Sequence, residues 1–150
     1  LETTAGQGSS LGYRFAQLAA ILDRVVRADR VGICLDTCHV FAAGYDIRTT
    51  DGYRKTMREL DACLGLHRLK AIHLNDSLQG VGSRVDRHAH IGDGRLGLEP
   101  FRCLLNDPAL RGIPMILETP KDDDFVKADR RNLARLRRLL NRAAFRGGAP

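Results

Sequence analysis

The chain is 150 residues long, 43% hydrophobic and 28% charged, which is the composition of one globular domain and not of a disordered chain. No window approaches the roughly 18 uninterrupted apolar residues of a membrane span. Leu1–Gly6 has neither a basic n-region nor an apolar h-region, so it reads as neither a signal peptide nor a natural start; with nothing to suggest secretion, the four cysteines read as reduced thiols of a cytoplasmic protein. The net charge of +6 points towards nucleic acid, but residues 125–150 hold eight Lys/Arg against one acid, while the first 124 residues are near neutral; charge alone decides nothing.

Leu1-Glu2-Thr3 reads as the stub of a strand. Apolar residues at helical spacing (Phe15, Leu18, Ala19, Leu22, Val25, Val26) predict a helix from Gly12 to Val26. Val31–Leu35 is short, aliphatic and continuous, as in a strand buried on both faces, and it ends in Asp36. Residues 52–65 predict a helix through Met57, Leu60 and Leu64. Leu69–Ile72 is a second such strand and runs into His73-Leu74-Asn75-Asp76. Segment 76–97 is long for a connection, which marks it as a functional loop. A short helix is expected at 98–106, a third strand at Ile113–Leu117 before Glu118, and a last helix at about 122–144. That helix would begin at the acidic cluster Asp122–Asp124, bury Val126, Leu133, Leu136, Leu140 and Ala143, and turn its arginines outward. Gly147–Pro150 is expected to fray. The alternation of strands and helices predicts an α/β fold with a parallel sheet.

The polar residues gather at strand ends. Glu2, Asp36, His73 and Glu118 each follow a buried strand, and in parallel α/β folds the carboxyl ends of the strands carry the active site. Carboxylates and an imidazole on one rim form a ligand set suited to zinc or manganese. His39 lies three residues after Asp36, one helical turn on if a helix starts there. In Asp86-Arg87-His88 an extended backbone aims the carboxylate and the imidazole to one side. These seven residues exceed one tetrahedral zinc, so a metal cluster is expected. Taken singly, each is as readily a helix cap or a hydrogen-bonded loop residue; their convergence is the signal. Cys34, Cys63 and Cys103 read as core thiols, reduced and without a CxxC pair. Cys38 is open as a thiolate ligand, with His39 the better fit. His67 reads as a surface residue, and His90 as a support to the site, a DNA-facing group or a plain loop histidine.

Five stretches together resemble the endonuclease IV family of zinc-dependent AP endonucleases. They are Leu1–Gly8, Cys34-Leu35-Asp36-Thr37-Cys38-His39 with Phe41–Asp46, His73–Asp76, Gly82–His88 and Ile116–Thr119, in order over residues 1 to about 120. The resemblance implies a TIM (β/α)₈ barrel of which this sequence supplies only the C-terminal half, about four βα units over residues 1–146. It also implies a three-zinc site. Glu2 would bridge the first and second ions, Asp36, His73 and Glu118 would complete the second, and His39, Asp86 and His88 would hold the third. The two histidines that complete the first site have no counterpart here, so at most two ions are expected to be well held.

The implied reaction is hydrolysis of the phosphodiester 5′ to an abasic site in double-stranded DNA, leaving a 3′-hydroxyl. Glu2 and Glu118 would position the water, and Arg84 and Arg87 would contact phosphate. The alternatives are a metal-dependent sugar or sugar-phosphate isomerase or epimerase on the related barrel, and an inactive half barrel. The isomerase leaves His39, Asp86 and His88 without a role. The half barrel is expected to need its other half or a second copy of itself.

Overall fold

The computed structural model describes residues 1–121 and 124–141. Its parallel sheet orders β1 (Ile33–Asp36), β2 (Leu69–His73) and β5 (Met115–Ile116) as β1-β2-β5. Glu2 adds a fourth position beside β1 through a parallel bridge to Cys34. These are the expected strands: β1 begins two residues later than expected, β2 begins at Leu69 as expected, and β5 is trimmed at both ends.

Helices α1 (Phe15–Leu22), α3 (Thr50–Leu64) and α4 (Glu99–Asn106) cover the sheet, with α5 (Phe125–Leu139) closing the row against α4. The core between the layers is built on Phe15, Phe41, Leu60, Ile72 and Phe101, none more than 1% exposed. Two elements lie outside the predicted order. Helix α2 (Thr37–Ala43) starts directly from β1, and β3 (Asp76–Ser77) pairs antiparallel with β4 (His88–Ala89) across the long loop. Among the described residues no helix is long and apolar enough to cross a membrane. The architecture is an open α/β half barrel of the TIM type.

Three expectations need correction. Helix α1 stops at Leu22, with Asp23 as its C-cap, and Val26 is 98% exposed. Two consecutive β-branched residues are poor helix formers, and the core offers Val26 no surface there. The buried face of α5 is Ala128, Asn132 and Leu136, whereas Val126 and Leu133 are more than 40% exposed. A polar anchor sets this rotation. Asn132 is fully buried; its Oδ1 accepts from Ile91 N–H at 3.0 Å and its Nδ2 donates to Thr119 Oγ1 at 2.9 Å. Arg135 likewise turns inward to Ile91 O (2.6 Å) and the Asp93 carboxylate (2.7 Å) instead of joining the outer arginines. Third, Cys63 is exposed and Cys34 and Cys103 are half-buried, so only Cys38 is a fully buried thiol.

Asp124 caps α5 through Lys127 N–H at 3.0 Å. Asp122, Asp123, Ala143 and the 147–150 tail lie outside the described residues.

Among the described residues β5 has one partner strand, and so does the segment at Glu2. Unpaired sheet edges beside exposed Leu1 and Ile116 favour association. Light scattering of the purified chain is expected to report a species larger than a monomer; a monodisperse monomer would contradict this.

Candidate metal centre

The sheet register brings the first ligand set together. Asp36 and His73 are Cα partners at the ends of β1 and β2, and Ile116 of β5 pairs with His73, two residues before Glu118. Glu2, Asp36, His73 and Glu118 each offer a ligand atom within 4.8 Å of the others. His73 Nδ1 lies 3.0 Å from Glu2 Oε1, 2.9 Å from Glu118 Oε2 and 3.7 Å from Asp36 Oδ2. Three carboxylates around one imidazole nitrogen repel one another unless a cation sits among them.

Asp36 serves as a cap and faces the site at once. Its Oδ1 accepts from His39 N–H at 3.0 Å and caps α2, while Oδ2 turns to the site and accepts from Asn75 Nδ2 at 2.7 Å. That cap also sets the first turn of α2, which is why His39 projects over the same rim.

The second set is His39, Asp86 and His88, again within 4.8 Å. Each imidazole has one nitrogen facing a carbonyl oxygen: His39 Nδ1 lies 2.8 Å from Thr3 O, and His88 Nδ1 lies 3.0 Å from Glu118 O. A carbonyl only accepts, so both Nδ1 atoms carry hydrogen. The two Nε2 lone pairs then face each other at 3.4 Å, with the Asp86 carboxylate 3.1 Å and 3.3 Å from them. Only a proton or a metal cation satisfies that arrangement, and an imidazole held by its far nitrogen on a carbonyl is the usual support of a metal ligand. Burial works against charge on His39, but Asp36, Asp86, the Thr3 carbonyl and Glu2 outweigh it, and its pKa is raised. The donor set therefore fits a metal in both places, and all seven predicted ligands lie in the two sets.

Several supporting residues escaped the sequence reading. Asn75, fully buried, joins the ends of three strands: its Nδ2 holds Asp36, its Oδ1 accepts from Glu118 N–H at 2.9 Å, and its N–H donates to Thr37 Oγ1 at 2.8 Å. Thr3 accepts from Asp36 N–H through Oγ1 at 2.9 Å and from His39 through its carbonyl. Asp76, also fully buried, accepts four backbone N–H groups, from Ser77, Gly92, Gly94 and Leu96, at 2.7–3.1 Å. Burial pushes its pKa up even against those four donors. The available signal was a polar Asn-Asp pair directly after a buried strand, where loop residues rather than core are the ordinary expectation. His90 Nδ1 meets buried Asn132 Nδ2 at 3.0 Å, which makes it a support for the docking of α5. His67 is exposed, as expected.

The loop carrying Arg84 and Arg87 is tied to the first loop of the chain. Arg84 lies over the Tyr13 ring at 3.9 Å and lowers the Tyr13 pKa; its N–H donates to Ala42 O at 2.9 Å from a left-handed backbone with φ of 58°. Gly6 makes room for this pair, since a Cβ there would come within 2.8 Å of Tyr13. Gln7 Oε1 accepts from Asp86 N–H at 2.9 Å, which fixes the ligand loop. Arg87 is exposed and donates to Asp86 O at 2.7 Å. Of the two arginines, Arg87 adjoins the candidate ligand Asp86 directly, and Arg84 precedes it by two residues on the same loop. The thiols of Cys34 and Cys38 lie within the same neighbourhood, their pKa values pushed up to about 12 and about 11, by burial first and by the surrounding carboxylates second.

The chain is similar to the probable endonuclease 4 of Chloroflexus aurantiacus, with 58% identity over 143 residues that cover 95% of this chain and 50% of that protein. It is 58% identical to the probable endonuclease 4 of Geobacter sulfurreducens over 142 residues, covering 95% and 48%. Among solved structures it superposes on endonuclease IV from Thermus thermophilus with a TM-score of 0.79 at 40% identity, covering 92% of this chain and 48% of that one. The chain thus spans about half the length of the curated relatives it matches, and those relatives carry the family name that the motifs resemble. The sequence profile of the xylose isomerase-like TIM barrel matches residues 1–142, and the chain belongs to that family.

Proposed function

We propose that this chain carries the zinc-holding part of an endonuclease that acts on double-stranded DNA at abasic sites, cutting the phosphodiester 5′ to the lesion and leaving a 3′-hydroxyl. The observation that supports it best is the pair of adjoining ligand sets, Glu2/Asp36/His73/Glu118 and His39/Asp86/His88. Zinc held by these residues would lower the pKa of a coordinated water and offset the charge of the attacked phosphate and the leaving oxygen. Glu2 and Glu118 flank His73 Nδ1 from different chain segments, and their carboxylates would orient the attacking water. Arg84, held flat on Tyr13, and Arg87, beside Asp86, contact the phosphates next to the scissile bond. An abasic nucleotide has no base to unstack, so its insertion at the rim costs little.

Of the three zinc ions that the motif resemblance implies, the second and third have their full protein ligand sets here. Glu2 is the chain's single contribution to the first. Residues 1–146 would form one part of that enzyme's barrel. A sugar isomerase on the same barrel would use the four-residue set alone, and leaves the second set without a role.

Elemental analysis of the chain equilibrated with zinc is expected to give two ions per chain; one ion would favour the isomerase. Incision is assayed on a duplex with a single abasic analogue, using the chain mixed with the complementary half of the Chloroflexus relative. Cleavage that needs both parts and drops about a hundredfold or more in Glu118→Gln supports the reading. Zinc-loaded halves that bind each other and leave the duplex intact would overturn it.

A further inference from the structure

We infer that the buried thiol of Cys38 forms, with Asp36 and His88, a separate cation site selective for thiophilic ions such as Cd²⁺, and that filling it dismantles both zinc ligand sets. Cys38 stands two residues after Asp36 in the first turn of α2 and is fully buried. Its Sγ, an Asp36 carboxylate oxygen and a His88 ring nitrogen lie within 4.8 Å of one another, the spacing of a three-ligand site. The hydrogen bonds of the thiol are weak ones for sulfur: Sγ is 3.7 Å from Arg87 O, and the Ser77 side chain also bonds to it.

The donor sets divide metals by softness. Zinc and manganese are satisfied by imidazole and carboxylate, and the His39/Asp86/His88 set offers those without sulfur. A cation that bonds strongly to thiolate gains more from Asp36/Cys38/His88. As its S–metal bond forms, the thiol proton passes to the buffer, and no electron changes hands. His88 cannot serve both sets, and His88 Nε2 already lies 3.7 Å from Asp36 Oδ2. An ion at Cys38 therefore takes His88 from the second zinc set and Asp36 from the first, and the two kinds of occupancy exclude each other. Of the other thiols, Cys63 is exposed on α3, Cys103 is half-buried on α4, and Cys34 neighbours Glu2 and His73 at the first set.

The test uses the full chain with Cys34→Ser, Cys63→Ser and Cys103→Ser, so that Cys38 is the one thiol left. Addition of CdCl₂ is expected to produce a thiolate-to-metal charge-transfer band in the ultraviolet and, in zinc-loaded chain, to release zinc to a chromophoric chelator. Adding Cys38→Ser, with circular dichroism unchanged, should abolish the band and sharply reduce the release. A band that survives Cys38→Ser, or no band in the folded chain, would overturn the inference. Cadmium NMR of the unsubstituted chain reads sulfur ligation without relying on any variant's folding; a resonance in the oxygen/nitrogen range alone would overturn it as well. A chain that binds zinc but shows no band sinks this inference and leaves the proposed function standing, whereas a band with no zinc binding does the reverse.

Discussion

Zinc at about a thousand times its dissociation constant is expected to stabilise this chain by about 4 kcal/mol. That raises the melting temperature by roughly 8–16 °C for a chain of this size. The ligands are drawn from segments far apart in sequence: the opening segment at Glu2, the β1–α2 junction, the end of β2, the 86–88 loop and Glu118. A metal in these sets cross-links segments that the unfolded chain separates, and it relieves the repulsion among three carboxylates and between the two facing Nε2 atoms of His39 and His88. Asp36 separates the two contributions. Asp36→Asn keeps an oxygen to accept from His39 N–H and so keeps the helix cap, but removes the ligand charge. Its metal-free melting temperature should fall modestly, because the new NH₂ group faces the Asn75 Nδ2 donor, and its zinc-induced rise should shrink. Asp36→Ala should lose the cap as well, a further cost of about 1 kcal/mol. Scanning calorimetry with and without chelator measures all three proteins. A melting temperature that chelation leaves unmoved would count against a metal centre here.

Asp76→Ala is expected to destabilise the chain by about 3 kcal/mol or more, because it leaves two buried and two part-buried backbone N–H groups without their acceptor. The melting temperature should fall by roughly 6–12 °C. Asp76→Asn is the sharper experiment. It preserves shape and volume but turns an NH₂ group towards two of those donors, so it should cost nearly as much as alanine. A neutral Asp76→Asn would show that shape and not acceptor count holds the loop. The damage should reach the metal centre too. Ser77 pairs with His88 in β3–β4, and Gly94 lies so close to the Asp76 carboxylate that it leaves no room for a Cβ. Zinc stoichiometry in Asp76→Asn is expected to drop by the ion held on His39, Asp86 and His88, while the set built on β1 and β2 keeps its own.

Fold class and most of the residues gathered in the candidate site were both legible in the sequence, and for related reasons. A strand buried on both faces must be a continuous apolar run, so the run's end is visible in the sequence, and the first polar side chain after it marks the rim of the sheet. Asp36, His73 and Glu118 were found that way. Arrangements that depend on rotation about an axis were not readable. The apolar count put Val126 and Leu133 inward, yet the buried Asn132 amide has to meet Ile91 N–H and Thr119 Oγ1, and the whole helix turns to let it. One buried hydrogen-bonded amide outweighs two partly buried aliphatic contacts because leaving it unpaired costs more than exposing them.

The amino-acid sequence by itself determined the alternation of strands and helices, the strand ends that bear carboxylate and imidazole, and the ligand loop at 82–92, since periodicity and local polarity carry all three. It also showed that the excess positive charge falls within residues 125–150, apart along the chain from those residues. Only the tertiary structure decided which nitrogen of His39 and of His88 faces the centre, because that follows from carbonyls of Thr3 and Glu118 that lie 36 and 30 residues away. Only it showed that Asp36 divides its two oxygens between a helix cap and the site, that Asn75 ties three strand ends together, and that Cys38 lies within reach of two ligands. Each of these depends on side chains meeting across parallel strands or loops, and sheet register, not local sequence, sets those meetings.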